Sequence, residues 1–228
     1  MRLMHPSFSV PIRFEENSIQ VLIVENPALF SDMHEDLVAQ VDGGEGEFVL
    51  SKSFEPVEIS SILEVVVDYF HLCREQKRMQ TKLISLLKNL AQQEFQIETA
   101  SVYEQLTAYM EQLIKSVDYS VSFSLPDDVG SLIKIAKVHF ESDSGTLAER
   151  LLNYMTVCSE LLGMSCFVLM NLKSYLTESE LRKLYKMVLY KKINILLLES
   201  TQKNIITEYE CVRLIDEDLC ELYLANNT

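Results

Sequence analysis

A cluster of basic residues near the middle of the chain is spaced to form one face of a helix. At about 100° per residue the cluster falls within an arc of about 140°, and apolar residues occupy the opposite side. Its members are Arg74, Lys77, Arg78, Lys82 and Lys88. Glu75 is the only acid between positions 74 and 93, so helical neighbours do not neutralise these charges. Such a face suits contacts to phosphate groups without base specificity, although an ordinary solvated helix face has the same pattern.

Two shorter basic patterns accompany this cluster. Lys134 and Lys137 are three residues apart on a predicted helical piece and would extend the positive surface. A further run of basic residues between positions 182 and 192 lies at and beyond the predicted C-terminus of a helix. Favourable interaction with the helix dipole is a sufficient explanation for bases at that position.

Five acidic residues flank the predicted third helix of the middle region. Asp118, Asp127 and Asp128 precede this helix, and Glu141 and Asp143 follow the segment that returns the chain to the sheet. Hard cations such as calcium bind several carboxylate or carbonyl oxygens on loops, so these side chains are candidate calcium ligands. The alternative is that they are helix N-terminal acids and turn formers, since no twelve-residue calcium loop is present.

The sequence offers no pattern for nucleophilic or phosphoryl-transfer catalysis. It lacks a Gly-x-Ser-x-Gly elbow, and its four histidines have no paired serine or cysteine in a recognisable context. Positions 25–30, after the first buried strand, contain neither glycine nor lysine, and the glycines at 43–46 lack a following Lys-Ser/Thr pair. Asn171 stands where an ATPase would place an acid for magnesium. We therefore expect a protein that is not an enzyme.

Composition and charge indicate a globular protein of one or two domains. The 228 residues are 48% hydrophobic and 24% charged. The formal net charge is −14, of which positions 68–138 contribute −1, so the negative charge is concentrated in the rest of the chain. No stretch reaches the roughly 18 apolar residues of a membrane span, and positions 1–14 lack the regions of a signal peptide. We expect a cytoplasmic protein without a membrane anchor.

Strands and helices alternate at both ends of the chain. Near the N-terminus, Ile19–Val24 is typical of a buried strand, and Asn26 and Pro27 open the helix that follows. Later, capping boxes at Thr146–Glu149 and Thr177–Glu180 begin helices that alternate with apolar strands. This order requires right-handed crossovers and a parallel sheet, so the predicted fold class is α/β. The predicted domains are the first part of an α/β head at 1–67, a helical leg at 68–138 and the second part of the head at 139–228.

The middle region is predicted to be helical. One helix spans positions 74–93, and a capping box at Ser101–Glu104 predicts the start of a second. Positions 120–125 alternate like a short strand, after which Pro126 begins a third helix that ends at Lys137. The first two helices would form an antiparallel hairpin.

Three segments of the C-terminal part resemble a known family. They are Phe-Val-Leu-Met-Asn-Leu-Lys-Ser-Tyr-Leu-Thr-Glu-Ser-Glu-Leu at 167–181, Asn-Ile-Leu-Leu-Leu-Glu at 194–199 and Cys-Val-Arg-Leu-Ile-Asp-Glu-Asp at 211–218. The opening Phe-Ser-Val-Pro-Ile at 8–12, the length and the interrupted α/β order agree with them. In these features the chain resembles the small accessory protein of type II-A CRISPR loci, the ring-forming DNA-end-binding subunit of spacer acquisition.

This resemblance implies a head like a degenerate P-loop ATPase without its phosphate loop. It also implies a homotetrameric ring whose lysine-lined hole takes the end of double-stranded DNA without sequence preference. Calcium ions would hold the ring in shape, and its partners would be the CRISPR integrase complex and the RNA-guided effector nuclease. The DNA-binding residues that it implies are Lys77, Arg78, Lys82, Lys88, Lys134 and Lys137, followed by Lys173 and Lys203. The calcium ligands that it implies are Asp118, Asp127, Asp128, Glu141 and Asp143.

The leading hypothesis is a non-enzymatic clamp on DNA ends that acts during capture of foreign DNA. A ring would confine positive potential to its hole while acidic heads repel DNA elsewhere, which reconciles DNA binding with the acidic net charge. The α/β order alone leaves open a nucleotide hydrolase with an unfamiliar phosphate loop. A third interpretation is a scaffold whose basic helix binds an acidic protein partner.

Overall fold

The computed structural model describes residues 1–72, 76–126, 128–140 and 145–225. The chain divides into two compact units, a head comprising Met1–Arg74 with Asp143–Thr228 and a helical leg comprising Glu75–Ser142. In chain order the elements are β1 (Arg2–Met4), β2 (Ile12–Arg13), β3 (Ile19–Val24), α1 (Pro27–Val41), β4 (Val49–Lys52), β5 (Glu55–Val57), α2 (Ile59–Ile62), β6 (Leu63–Val66), α3 (Gln76–Gln93), α4 (Gln96–Lys115), α5 (Val129–Ile135), α6 (Leu147–Val157), β7 (Cys166–Met170), α7 (Glu178–Tyr190), β8 (Asn194–Glu199), β9 (Glu210–Ile215) and β10 (Glu221–Ala225).

A six-stranded sheet forms the centre of the head, in the order β10-β9-β3-β8-β7-β6. Neighbouring strands are parallel, except that β9 and β10 pair antiparallel. Every residue of β6 and β7 is buried, as expected for parallel strands with both faces covered. The α/β fold class predicted from the sequence is thereby confirmed.

A second, antiparallel sheet has the order β2-β1-β4-β5. Extended segments at 11–14 and 47–50 are predicted from the sequence, but their pairing into a sheet of their own is not. Its inner face contributes Leu3, Ile12 and Leu50 to a core that also contains Leu22 of β3 and Met33 of α1. Strands of two to four residues are too short to show a clear alternation of apolar and polar positions, so their pattern carries little signal. This core joins the small sheet to α1 and to one face of the large sheet.

The three predicted helix starts of the head are confirmed. Asn26 Oδ1 accepts a hydrogen bond from an N–H of the first turn of α1 at 3.0 Å. Thr146 and Glu149 form the capping box of α6, and Thr177 and Glu180 form that of α7. Each cap satisfies N–H groups that the first helical turn leaves without partners.

Two local predictions for the leg are wrong. The helix α4 begins at Gln96, before the predicted capping box at Ser101. Before Ser101, Thr99 Oγ1 of α4 already donates to the Ala91 carbonyl of α3 at 3.3 Å. This tertiary contact overrides the local capping signal at Ser101. Residues 120–125 form no strand, since the described part of the leg consists of helices and loops and offers no strand with which to pair.

The leg is built around α3, which packs against both α4 and α5. Met79 of α3 is buried, and Gln80 Nε2 donates to the Val138 carbonyl shortly after α5. The helix α4 has no fully buried residue. No described helix of the chain combines the length and apolarity that crossing a membrane requires. Because α4 and α5 both pack against α3, they determine which side chains of α3 remain exposed.

Candidate nucleic-acid interface

The basic side of α3 is exposed. Lys77, Arg78 and Lys82 are exposed, whereas Met79 on the opposite side is 6% exposed. Among the described residues, no carboxylate lies within ion-pair distance of Lys77 or Lys82. We name Lys77, Arg78 and Lys82 the α3 basic face. Exposed bases on a helix are suited to contacts with a phosphate backbone, which position a nucleic acid without reading its sequence.

Lys134 and Lys137 belong to the same unit as the α3 basic face. Lys134 is exposed on α5. Lys137 is exposed just after α5 in a left-handed conformation, with φ of 51°. The His139 Nδ1–H donates to the Lys137 carbonyl at 2.7 Å and supports this turn. The leg thus presents one lysine on α5 and one directly after it, in addition to the α3 basic face, and α5 packs against α3.

Lys88 differs from the α3 basic face because its charge is paired. Its Nζ lies 3.0 Å from Asp128 Oδ1 and donates to Asp128 Oδ2 at 3.1 Å. The Lys88 ammonium, followed by the Gly130 N–H, lowers the pKa of the Asp128 carboxyl below its ordinary value. A Cβ at buried Gly130 would lie 2.8 Å from Lys88 Cδ, so glycine leaves room for the lysine side chain. Lys88 therefore links α3 to the start of α5.

Two of the five predicted calcium ligands lie in the described part of the chain. Asp118 is exposed after α4, and Asp128 is paired with Lys88. The other predicted ligands, which lie outside the described residues, are Asp127, Glu141 and Asp143. Within the described ranges, no group of three or more His, Cys, Asp or Glu side chains is placed to hold a metal ion. Carboxylates are the ligands that calcium prefers, so Asp118 fits by chemistry, whereas Asp128 would first have to leave Lys88.

The carboxyl ends of the parallel strands are the usual place for a nucleotide in an open α/β sheet. Here the protein's own groups occupy this edge. After β3 the chain enters α1 directly, and Asn26 Nδ2 donates to the Glu217 carbonyl at 3.0 Å. After β7, Asn171 Oδ1 accepts hydrogen bonds from Ser200 N at 2.8 Å and from Ser200 Oγ at 2.9 Å. The amides at these two strand ends therefore bind neighbouring loops of the head.

Lys173, one of the further candidates for DNA contact, is buried in the head. The side chains of Lys173 and Glu210 are 4% and 0% exposed, and Lys173 Nζ lies 2.8 Å from Glu210 Oε2. Lys173 Nζ also donates to the Asn204 carbonyl at 3.0 Å. Tyr185 Oη donates to Glu210 Oε1 at 2.8 Å, and the Ile206 N–H donates to Glu210 Oε2 at 2.9 Å. The assignment of Lys173 to DNA is wrong, because a lysine held in a buried ion pair is inaccessible to it.

Glu199, at the end of β8, is a buried acid. It is 1% exposed, and its Oε1 accepts a hydrogen bond from Lys173 N at 3.0 Å. Its Oε2 is buried with no hydrogen-bond partner among the described residues. Burial raises the pKa of Glu199 to about 7, and the charge of Glu210 adds to the rise, while the Lys173 N–H opposes it. A substantial share of this carboxyl is therefore protonated at neutral pH.

Substitution of Glu199→Gln is expected to flatten the dependence of stability on pH. The folded protein keeps the Glu199 proton up to about pH 7, whereas the unfolded chain loses it near the ordinary pKa of 4.5. Because the folded state binds more protons in this window, the free energy of unfolding falls by up to about 3 kcal/mol as pH rises through it. Urea unfolding at several pH values measures this slope, with the exposed Glu160→Gln as the control. An unchanged slope in Glu199→Gln would contradict titration of this group.

The second basic run lies on α7 and directly after it, in the head. Arg182 is engaged by acids, since its Nε donates to Glu178 Oε1 at 3.0 Å and its Nη1 donates to Glu208 Oε2 at 2.8 Å. Lys183, Lys186 and Lys191 are exposed. These three lysines provide a matched set of exposed bases outside the leg.

Comparison with solved structures gives matches of low identity and low TM-score. An ATP-binding cassette in a post-hydrolysis state bound to ADP and Pi is 9% identical with a TM-score of 0.42, over 96% of this chain and 90% of that chain. A putative ABC transporter ATP-binding protein from Pyrococcus furiosus is 13% identical with a TM-score of 0.37, over 89% of this chain and 88% of that chain. The comparison with curated proteins finds no match.

Comparison with protein families gives a match over most of the chain. The matching family is described as CRISPR-associated protein (Cas_Csn2), and the match spans residues 40–219, more than three quarters of the chain. It includes the whole leg and the strand ends at Asn171 and Glu199. The chain belongs to the CRISPR-associated Cas_Csn2 family.

Proposed function

We propose that this CRISPR-associated protein binds the ends of double-stranded DNA in the cytoplasm during spacer acquisition, without sequence preference and without catalysis. The observation that carries the proposal is the α3 basic face, whose three side chains are exposed on one side of a helix. Such a surface neutralises backbone phosphates and therefore binds DNA of any sequence. Lys134 and Lys137 on the adjoining segment are further phosphate contacts in this proposal.

The distribution of charge supports binding in a confined place. Positions 68–138 carry a net charge of −1, while the remaining positions carry −13. In a homotetrameric ring, the basic faces would meet DNA in the hole and the acidic remainder would repel DNA outside it. A ring of this kind loads at an end of the duplex and delivers it to the CRISPR integrase complex and the RNA-guided effector nuclease, the partners that we propose.

The experiment that tests the proposal compares linear and covalently closed circular duplexes of equal length and sequence in a gel shift. We expect retention of the linear duplex alone. A salt series should give a slope of log affinity against log salt of about −3 or steeper, because each chain offers at least three phosphate contacts. Equal binding of both forms would indicate a surface patch that does not depend on ends. Binding of neither form would favour the interpretation of the basic helix as a docking site for an acidic protein.

Calcium is part of the proposal, with Asp118 and Asp128 as its described ligands. Because Lys88 competes for Asp128, Lys88→Met is expected to tighten calcium binding by up to about fivefold, which corresponds to the energy of an exposed ion pair. Asp128→Asn is expected to weaken calcium binding because it removes a ligand carboxylate. Calorimetric titration with calcium chloride measures both changes. Lys82→Met is the control because it removes an exposed charge of α3 that, among the described residues, forms no ion pair with Asp128. Equal tightening in both lysine variants would indicate a general charge effect and remove Asp128 from the site.

A further inference from the structure

Two arginines face each other across β1 and β2. Arg2 pairs directly with Arg13 in antiparallel register, while their neighbours Leu3 and Ile12 are buried in the core. In the part of the chain that the structure describes, no carboxylate lies within ion-pair distance of either guanidinium. Like charges placed directly opposite each other destabilise a sheet. A chain with a net charge of −14 thus places Arg2 opposite Arg13 in its small sheet, with no carboxylate among the described residues to neutralise either guanidinium.

An exposed aromatic ring lies beside these arginines. Phe54 is 80% exposed in the turn that joins β4 to β5. Arg2 Cζ lies 4.2 Å from the centroid of the Phe54 ring, a distance typical of a cation–π contact. Ser51 and Pro56 continue the cross-strand row of Arg13 and Arg2. We name the two guanidinium groups and the ring the Arg2–Arg13–Phe54 patch.

The turn that carries Phe54 has a conformation that its residues disfavour. Lys52 pairs with Glu55, so the turn has two residues, Ser53 and Phe54, with φ of 52° and 70°. Asn-Gly is the preferred pair in such a turn, because bulky side chains are strained at positive φ. Strain that persists at an exposed position points to a role outside folding. Phe54 therefore occupies a place where glycine would fold better.

We propose that the Arg2–Arg13–Phe54 patch binds an unpaired nucleotide of a DNA end. The guanidinium fork matches phosphate geometry, so the two arginines would hold a phosphate of the strand. The exposed ring would stack on a base, as aromatic side chains do in proteins that bind single strands. This inference deepens the proposed function, on which it rests, by adding a preference for ends with an overhang.

A nucleotide fits the patch better than an acidic peptide does. The Arg2–Arg13–Phe54 patch combines two positive charges with a flat ring, and a nucleotide carries a phosphate and a flat base within one residue of its chain. A peptide would supply carboxylates, but it would also have to bring an apolar pocket for the protruding Phe54 ring. Phosphate and stacking contacts together are the usual combination for unpaired nucleic acid.

The test uses duplexes that are blunt or carry a two-nucleotide overhang with 2-aminopurine, whose fluorescence is quenched on stacking. We expect the wild-type protein to bind the overhang duplex at least about fivefold more tightly than the blunt one, and to quench the probe. The variant Ser53→Asn/Phe54→Gly should lose both effects while its Tm rises by about 2–4 °C, because the turn is relieved of strain. Arg2→Ser/Arg13→Ser should also lose the overhang preference. Both variants should retain blunt-duplex binding.

The outcomes separate this inference from the proposed function. Equal affinity for blunt and overhang duplexes in the wild-type protein would overturn the inference and leave the proposed function standing. If the protein fails to bind the blunt duplex but still quenches a single-stranded 2-aminopurine probe, the proposed function is overturned and binding of an unpaired nucleotide by the patch stands. A lower Tm in Ser53→Asn/Phe54→Gly would mean that Phe54 serves the fold, which also overturns the inference. If an acidic protein occupies the patch instead, the 2-aminopurine signal stays unchanged in every protein variant.

Discussion

Charge reversal of the α3 basic face should abolish retention of linear duplex DNA. In Lys77→Glu/Arg78→Glu/Lys82→Glu, the three proposed phosphate contacts of each chain become repulsive, and in the proposed tetramer this change is made in all four chains. We expect affinity at about 100 mM salt to fall at least about a hundredfold. The fold should persist, because the three side chains are exposed on the side opposite buried Met79. Gel shifts and thermal unfolding measure binding and folding separately.

A matched variant separates a specific surface from the effect of net charge. Lys183→Glu/Lys186→Glu/Lys191→Glu makes the same change in charge at exposed positions on α7 and directly after it. If the α3 basic face is the DNA surface, this control keeps most of its affinity. An equal loss in both variants would assign the effect to overall repulsion, and full retention in the α3 variant would move the site elsewhere.

Local signals made much of the head predictable from the sequence. The buried run Ile19–Val24 and the cap at Asn26 both act within a few residues, and the structure reproduces them as β3 and α1. The capping boxes at Thr146 and Thr177 are equally local, since the side chain binds an N–H three residues along. The α3 helix was predictable because its apolar and basic positions repeat with the helical period.

Contacts between distant positions set the limits of that prediction. Lys88 belongs by spacing to the basic side of α3, but it pairs with Asp128, forty positions away. The opposition of Arg2 and Arg13 depends on the register of two very short strands, which have no usable periodicity. The sequence therefore predicts which helix carries positive charge, whereas tertiary structure decides which of those charges is available.

Lys173→Met is expected to destabilise the head by about 3–5 kcal/mol, because it leaves the Glu210 carboxylate buried without its ion-pair partner. This is a large part of the roughly 5–15 kcal/mol that stabilises a typical domain. Urea unfolding should show a lower midpoint with an unchanged dependence on denaturant. The control is Lys203→Met, the same substitution at an exposed position, with an expected change within about 0.5 kcal/mol. Equal effects of the two substitutions would contradict the buried ion pair.

The double variant Lys173→Met/Glu210→Gln tests the physical origin of that loss. If the loss of stability comes from a buried carboxylate without its ion-pair partner, removing the charge of Glu210 as well should restore part of the free energy of unfolding. The expected coupling energy between the two sites is about 1–3 kcal/mol. The remaining deficit would reflect the hydrogen bonds that Glu210 accepts from Tyr185 Oη and the Ile206 N–H, which one amide oxygen replaces incompletely. Strict additivity would instead mean that the two side chains stabilise the head independently. Because Lys173 is buried, the refolded double variant should also bind linear DNA with the salt dependence of the wild-type protein.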